Sequence, residues 1–254
     1  MNRRKRRFFC GKKDKTMKQT KQVIVILGGM GPQASARLVE MLIEMSTKDF
    51  GAKNGDDFPE IILDSVPVSD FISKPENIKH ALEIFKERIK LLSNLNISSF
   101  AIACNTAHVM FDELRSTTKK EFVSMIDEVV DQVSKKKIAK VGLLASPLTI
   151  KFGLFDNAFQ EFNVDVIMPT EREQERLEKI IRRVIGGRIL ESDQLNLILI
   201  ADALKRRGAA GIILGCTELP LVFPKKFTIP VFNSLEILAN ALLLKFHRGN
   251  TIHK

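Results

Sequence analysis

The sequence lacks the features of a secreted or membrane-spanning protein. It has three cysteines in 254 residues, an odd number that does not fit a framework of disulfides, so we expect a reducing compartment and a cytoplasmic protein. No apolar run approaches the roughly 20 residues that cross a bilayer. Residues 1–21 also lack the apolar centre of a secretory signal. These absences predict a soluble chain that makes no contact with a membrane.

Excess positive charge is confined to the first 21 residues. The formal net charge is +10, and residues 1–21 hold ten Lys or Arg and one acid, Asp14, which leaves about +1 for the rest. The RRKRR run at 3–7 could touch nucleic acid or anionic lipid. The preferred interpretation is a disordered, solvated tail that carries an inert Cys10. Met17 lies just before the first apolar segment, so the native chain could begin there.

The hydropathy pattern alternates short apolar segments with amphipathic ones. The segment at 22–27 (QVIVIL) is apolar throughout, which is typical of a strand in a parallel sheet. Apolar residues spaced by three and four positions predict helices between the strands. The predicted strands lie at 22–27, 60–66, 100–103, 122–125, 140–144, 164–168, 209–215 and 231–233, and the predicted helices at 34–45, 77–95, 111–118, 127–136, 151–162, 170–184, 194–207 and 235–246.

The order of these elements repeats once along the chain. Pro32 and Pro147, each in the loop after a strand, are 115 positions apart, and Cys104 and Cys216 are 112 apart. A fixed offset between such units indicates an internal repeat. We therefore predict an α/β protein of two pseudo-symmetric domains, each a short, mostly parallel sheet flanked by helices, with the active site in the cleft between them. The predicted division is a tail at 1–21, a first domain at 22–123 plus 230–254, and a second domain at 124–229.

Two cysteines occupy equivalent places in the repeat. Cys104 follows the apolar run of FAIACNTAHVM (100–110), and Cys216 follows that of AAGIILGCTELPL (209–221). One such cysteine is most often a packing residue. Two at the same edge of two sheets would face each other across a cleft, where open α/β sheets bind ligands. A helix N-terminus beside each thiol would lower its pKa.

Two thiols on opposite sides of one cleft suit two-base racemisation or epimerisation. A thiolate removes a proton from a carbon on one face, and a thiol returns a proton on the other. Ordinary thiols are only a few per cent ionised at neutral pH. The pKa of one thiol must therefore be lowered while the other thiol stays protonated. Backbone N–H groups of the GGMGP (28–32) and ASPLT (145–149) loops could hold a substrate carboxylate.

The GGMGP loop, ACNTAH (103–108) and GCTELP (215–220) together resemble the aspartate/glutamate racemase superfamily, most closely its cofactor-independent aspartate racemase branch. The resemblance covers most of residues 22–247. It implies that Cys104 and Cys216 are the paired acid and base, without pyridoxal phosphate or another cofactor, and that the enzyme is a homodimer. It also implies a substrate site lined by Met30, Asn105, Thr106, Ser146, Thr149, Thr217 and Glu218. Glu218 stands where glutamate racemases have histidine, which favours the aspartate type.

The resemblance weakens where the family recognises the substrate's side chain. In the family, the second strand often leads to a Pro-Asp-Arg segment whose arginine can hold the substrate's side-chain carboxylate. In this sequence the corresponding region contains Ser69, Asp70 and Phe71, and no arginine. The family's lysine near the end of the charged helix falls at Ile185, with Arg183 and Arg188 close by. After the last strand, Asn233 and Leu238 replace an acid and a histidine. The resemblance therefore implies L- and D-aspartate, or glutamate, as the default substrate.

Several alternatives remain open. One is another superfamily reaction, of the hydantoin racemase or maleate isomerase type, and another is a non-catalytic dicarboxylate-binding protein. Nucleic-acid binding through residues 3–7 is a further possibility that we do not favour. The GGMG loop lacks the GxGxxG pattern of a dinucleotide site, and no cluster has metal-ligand spacing. We interpret His108 as a structural residue that is hydrogen-bonded to a backbone carbonyl. We interpret Thr170 and Glu173 as a helix cap.

Overall fold

The computed structural model describes residues 22–70 and 72–251. The predictions for the basic tail, for Cys10 and for a start at Met17 lie outside these residues, as does Phe71. No helix in the described part of the chain is long and apolar enough to cross a membrane.

The first half of the chain forms a four-stranded parallel sheet in the order β2-β1-β3-β4. Its strands are β1 (Val23–Gly28), β2 (Glu60–Ser65), β3 (Ile97–Ile102) and β4 (Phe122–Val123). The helices that follow β1, β2 and β3 are α1 (Pro32–Lys48), α2 (Ile78–Leu92) and α3 (Phe111–Arg115), with a 3-10 segment, Thr106–Met110, before α3.

The second half forms another four-stranded parallel sheet, in the order β6-β5-β7-β8. Its strands are β5 (Lys140–Ala145), β6 (Asp165–Ile167), β7 (Gly211–Gly215) and β8 (Val231–Asn233). Its helices are α4 (Met125–Lys135), α5 (Pro147–Lys151), α6 (Leu154–Phe159), α7 (Glu171–Ile185), α8 (Glu191–Arg206) and α9 (Ser234–Thr251). Both sheets follow the same strand order, so the predicted repeat and the two-part α/β fold are confirmed. We call the sheet of β1–β4 with its covering helices the first lobe, and the sheet of β5–β8 with its covering helices the second lobe.

Each sheet is covered by helices on both faces, which explains the unalternating apolar strands. Every residue of β1 is buried. Val25 and Leu27 pack with Phe85 of α2 on one face. On the other face, Ile24 and Ile26 pack with apolar side chains of α1 and α9. A strand that is buried on both faces is typically a nearly continuous apolar run.

The end of the chain contacts both lobes. Strand β8 pairs in parallel with β7 and so lies in the second sheet. Helix α9 covers the first sheet through buried residues such as Leu242, and its Ile237 packs against the core of the second. The division into domains at 123/124 and 229/230 stays a prediction, with β8 placed beside the second sheet and α9 across the first.

The structure divides one helix that the pattern predicts as continuous. The segment 151–162 is predicted as one helix, whereas α5 ends at Lys151 and α6 begins at Leu154. Gly153 between them has a φ of 58°, in the left-handed region that ends a helix. The cap at the start of α7 is confirmed, because the Thr170 hydroxyl accepts from Glu173 N–H and Glu173 accepts from Thr170 N–H.

Candidate active site

Cys104 lies directly beyond the carboxyl end of β3. Pairing with β1 continues to the preceding residue, where Ala103 N–H donates to the Leu27 carbonyl at 2.9 Å. The side chain is 7% exposed and the thiol is free. The backbone N–H groups of Thr106 and Ala107 and the Thr106 hydroxyl donate to its sulfur. The turn after β3 thus gives the sulfur three donors, as an incipient thiolate requires.

Cys216 holds the equivalent place after β7, and its neighbour Glu218 defines its surroundings. Cys216 is also 7% exposed and free. Its Sγ donates to Glu218 Oε2 at 3.1 Å, and the Thr217 hydroxyl donates to the same oxygen at 3.1 Å. Glu218 Oε1 is buried without a hydrogen-bond partner. Burial raises the pKa of Glu218 above its ordinary value.

Three hydroxyls join the two lobes beside the thiols. Thr106 Oγ1 lies 2.7 Å from Ser146 Oγ and 3.1 Å from Thr149 Oγ1, and the last two lie 2.9 Å apart. All three side chains are buried. Ser146 also caps α5 by accepting from Thr149 N–H at 3.3 Å. Thr106 follows the first-lobe cysteine and the other two follow β5, so this cluster brings the two halves of the predicted site together.

Asn105 is anchored from the second lobe. Its Nδ2 donates to Ser234 Oγ at 3.0 Å, and Ser234 donates to the Leu214 carbonyl at 2.8 Å. Asn105 Oδ1 is buried and has no partner. An acceptor left open next to a reactive thiol is available to a donor such as the ammonium group of an amino acid.

The glycine loop touches Glu218. Met30 lines the same cavity as Cys104, as the resemblance implies. A Cβ placed on Gly31 would overlap Glu218 Oε1, so only glycine lets the two loops approach so closely. Every predicted site residue thus lies at the junction of the lobes, although their roles stay predictions.

Neither thiol shows the lowered pKa that the helix N-termini led us to expect. Burial raises the pKa of Cys104 to about 12, with a further rise from the charge of Glu218. Burial, again with Glu218, raises the pKa of Cys216 well above its ordinary value. The expectation of a lowered pKa is wrong because desolvation disfavours the thiolate more than the backbone donors favour it.

His108 is a structural residue, as we interpreted it. Its Nε2 accepts from Met125 N–H at 3.0 Å, so Nδ1 carries the proton and donates to the Cys104 carbonyl at 2.9 Å. Burial lowers the pKa of His108 to about 4. The ring is therefore neutral and holds the Cys104 turn against the start of α4.

A cavity of about 240 Å³ extends from Cys104 to α7. This is below the roughly 300–1,000 Å³ of sites for drug-sized ligands, and suits a smaller molecule. Its lining comes from the glycine loop, the segment after β2 and the last turns of α7: Gly29, Met30, Gly31, Pro32, Val68, Ser69, Asp70, Ile72, Cys104, Arg182 and Ile185.

Arg182 is a charged lining residue that we did not single out from the sequence. Arg183 instead pairs with the buried Asp193, and Arg188 is exposed. Helical spacing carried the missing signal, because residues three apart share a face and Arg182 lies three positions before Ile185. At the last strand, Asn233 accepts from Leu235 N–H at 3.1 Å, and Leu238 lies in the core.

The site holds two thiols, hydroxyls and carboxyl groups. Within residues 22–70 and 72–251, no three His, Cys, Asp or Glu side chains are grouped so that they could hold a metal ion. The expectation of a cofactor-independent site remains a prediction.

Comparison with known proteins agrees with this architecture. The Asp/Glu/hydantoin racemase family model matches residues 27–242. The broad specificity amino-acid racemase RacX of Bacillus subtilis (strain 168) is 22% identical over 220 residues, or 86% of this chain and 96% of that protein. An aspartate racemase homologue from Pyrococcus horikoshii OT3 superposes with a TM-score of 0.74 at 28% identity, covering 89% of this chain and 99% of that one. The Picrophilus torridus aspartate racemase gives 0.75 at 27% identity, with 89% and 94% covered. This chain belongs to the Asp/Glu/hydantoin racemase family.

Proposed function

We propose that the protein interconverts the L- and D-forms of an amino acid by proton transfer between Cys104, Cys216 and the α-carbon. The observation that carries the proposal is the pair of buried free thiols that follow equivalent strands of the two sheets. The similarity to a broad specificity amino-acid racemase and to an aspartate racemase supports an amino-acid substrate. Aspartate or glutamate, a homodimer and cofactor independence stay predictions.

The proposed reaction moves one proton off the α-carbon and another onto it. One cysteine, as thiolate, takes the α-proton and becomes a thiol. The opposite cysteine, as thiol, gives its proton to the other face of the carbanion and becomes the thiolate. The product is the mirror image of the substrate, and the two cysteines have exchanged protonation states. Exchange with water between turnovers restores the starting state.

The substrate itself would help to generate the thiolate. Both thiols have raised pKa values because burial removes them from water and because the negative charge of Glu218 disfavours the thiolate. A bound ammonium group adds a positive charge close to the sulfurs, and an opposite charge favours the ionised form. The hydroxyls of Thr106, Ser146 and Thr149 can donate to the substrate carboxylate as charge develops on it.

The first experiment measures exchange in deuterated water. The L- and D-forms of a panel of amino acids are incubated with reduced enzyme and followed by NMR and chiral chromatography. Two-base transfer places deuterium in the inverted product while the remaining substrate keeps its proton in the first turnovers. A single base would put deuterium into both. Binding of a dicarboxylate with no exchange would favour the non-catalytic alternative.

Replacement of either cysteine tests the assignment of the two bases. Cys104→Ser and Cys216→Ser should each reduce racemisation by at least ~10²- to 10⁴-fold, the contribution typical of a positioned acid or base. Serine cannot ionise in this pH range, so inversion stops whichever thiol is lost. Cys10→Ser, far from the site in sequence, serves as the control. Racemisation at the native rate in either site variant would contradict the proposal.

A further inference from the structure

Among the described residues that line the cavity beside Cys104, Arg182 is the cation, and it is paired with two carboxylates. Arg182 Nε donates to Glu178 Oε1 at 2.8 Å and Nη1 donates to Asp70 Oδ2 at 3.1 Å. Its Nη2 donates to Ser73 Oγ. All three guanidinium nitrogens therefore have partners, and two of those partners are carboxylates. Arg182, Asp70 and Glu178 together carry a net charge of −1.

The remaining lining adds no positive charge. The lining residues other than Arg182 and Asp70 are uncharged, and Ile185, one turn after Arg182, presents an apolar side chain. Arg183, the next residue along α7, pairs with the buried Asp193. The described lining therefore has no cation besides Arg182, and this part of the cavity is neutral to acidic.

Asp70 is held by its own segment as well as by Arg182. Its Oδ1 accepts from Ile72 N–H at 2.9 Å, and the Ile72 carbonyl accepts from Leu148 N–H at 3.1 Å. The segment after β2 is thus attached to the second lobe at two points. A substrate carboxylate that approached Arg182 would lie next to Asp70, and like charges disfavour that arrangement.

We infer that this site takes monocarboxylic amino acids, with an uncharged or cationic side chain, and that Asp70 excludes aspartate and glutamate. The inference rests on the proposed racemase function and replaces only the expectation of an acidic substrate. The cavity has an acid at Asp70 and an apolar side chain at Ile185, and two carboxylates offset the charge of Arg182.

The test is the ratio of kcat/KM for acidic and non-acidic amino acids. Wild-type enzyme is assayed by α-proton exchange with aspartate, glutamate, alanine, methionine, glutamine, lysine and arginine. We expect the best non-acidic substrate to exceed both acidic ones by at least tenfold. Preference for aspartate or glutamate would overturn the inference and leave the proposed function intact. Exchange with no member would remove the proposed function and this inference with it.

Two variants test whether these residues set the preference. Asp70→Asn keeps the side chain's shape and frees Arg182, and Ile185→Lys adds a cation to the lining. Each should raise kcat/KM for aspartate or glutamate at least tenfold relative to the best neutral substrate, chiefly through KM. Glu175→Gln and Ile189→Lys make the same charge changes on exposed positions outside the cavity and should leave the ratio unchanged. An unchanged ratio in both site variants would exclude Asp70 as the determinant.

Discussion

At the scale of single residues, Glu218 bears most directly on the thiols. Its side chain is 3% exposed, and its charge contributes to the raised pKa of both Cys104 and Cys216. Burial raises the pKa of Glu218 itself. A proton on Glu218 would therefore make ionisation of either thiol easier, so this carboxyl group can set the pH at which the site becomes active.

Glu218→Gln tests that role through the pH dependence of racemisation. Because the thiol pKa values are raised, the thiolate fraction and hence kcat/KM should increase as pH rises above neutrality. Removing the nearby negative charge lowers those pKa values, so the rising limb should move to lower pH by about one unit or more. Profiles of kcat/KM against pH report the pKa values of the essential acid and base in the free enzyme. Glu175→Gln is the matched control. A limb that does not move would mean that Glu218 is neutral throughout.

At the scale of elements, the approach of the glycine loop to the loop after β7 depends on one missing side chain. Gly31 precedes α1, and its absent Cβ leaves room for the Glu218 carboxyl group. The Gly31 carbonyl also accepts from Ser35 Oγ at 3.0 Å, so the loop cannot move freely away. The contact thus fixes the glycine loop of one lobe against the cysteine loop of the other.

Gly31→Ala should damage activity more than folding. The added methyl must displace the Glu218 carboxyl or separate the loops. Overpacking of this kind costs about 1–3 kcal/mol of stability, and a displacement of about 1 Å at a catalytic site can cost about 10²-fold in rate. Denaturant unfolding and exchange kinetics measure the two effects. Gly55→Ala is the control, because a Cβ there meets nothing within 4 Å. Native kinetics in Gly31→Ala would show that the loops separate easily.

The sequence predicted the elements of the fold better than the state of the site. Apolar periodicity located each strand, and the repeat of Cys104 and Cys216 predicted their equivalent positions. The pKa of Cys104 was not predictable in this way, because it depends on burial and on a carboxyl group from the other lobe. Helical spacing from Ile185 could have identified Arg182, but its pairing with Asp70 was not predictable, since the segment after β2 lacks any periodic pattern. Contacts between distant segments are fixed by packing, which a local pattern does not contain.

At the scale of the whole molecule, the lobes share covering elements and hydrogen bonds. The hydroxyls of Thr106 and Ser146 lie 2.7 Å apart across the junction. Helix α9 contributes Leu242 and Leu243 to the core of the first lobe and Ile237 to that of the second. Separating the lobes would expose apolar surface on both, and that exposure is unfavourable. We therefore expect the two lobes to unfold together.

Thiol labelling can test this cooperativity, since each lobe carries one buried free cysteine. The chain has no Trp or Tyr, so intrinsic fluorescence is a poor probe of either lobe. In a Cys10→Ser background, Cys104 and Cys216 should become reactive at the same denaturant concentration, because opening one lobe removes the cover of the other. Peptide mass spectrometry distinguishes the two sites.

A core variant sharpens the result. Leu242→Ala should cost about 2–5 kcal/mol and lower both labelling midpoints equally, although Leu242 packs in the first lobe alone. Leu195→Ala, at a position 59% exposed, is its control. If Leu242→Ala exposed Cys104 while Cys216 kept its native midpoint, the lobes would be independent units. The site between them would then depend on their association rather than on one cooperative fold.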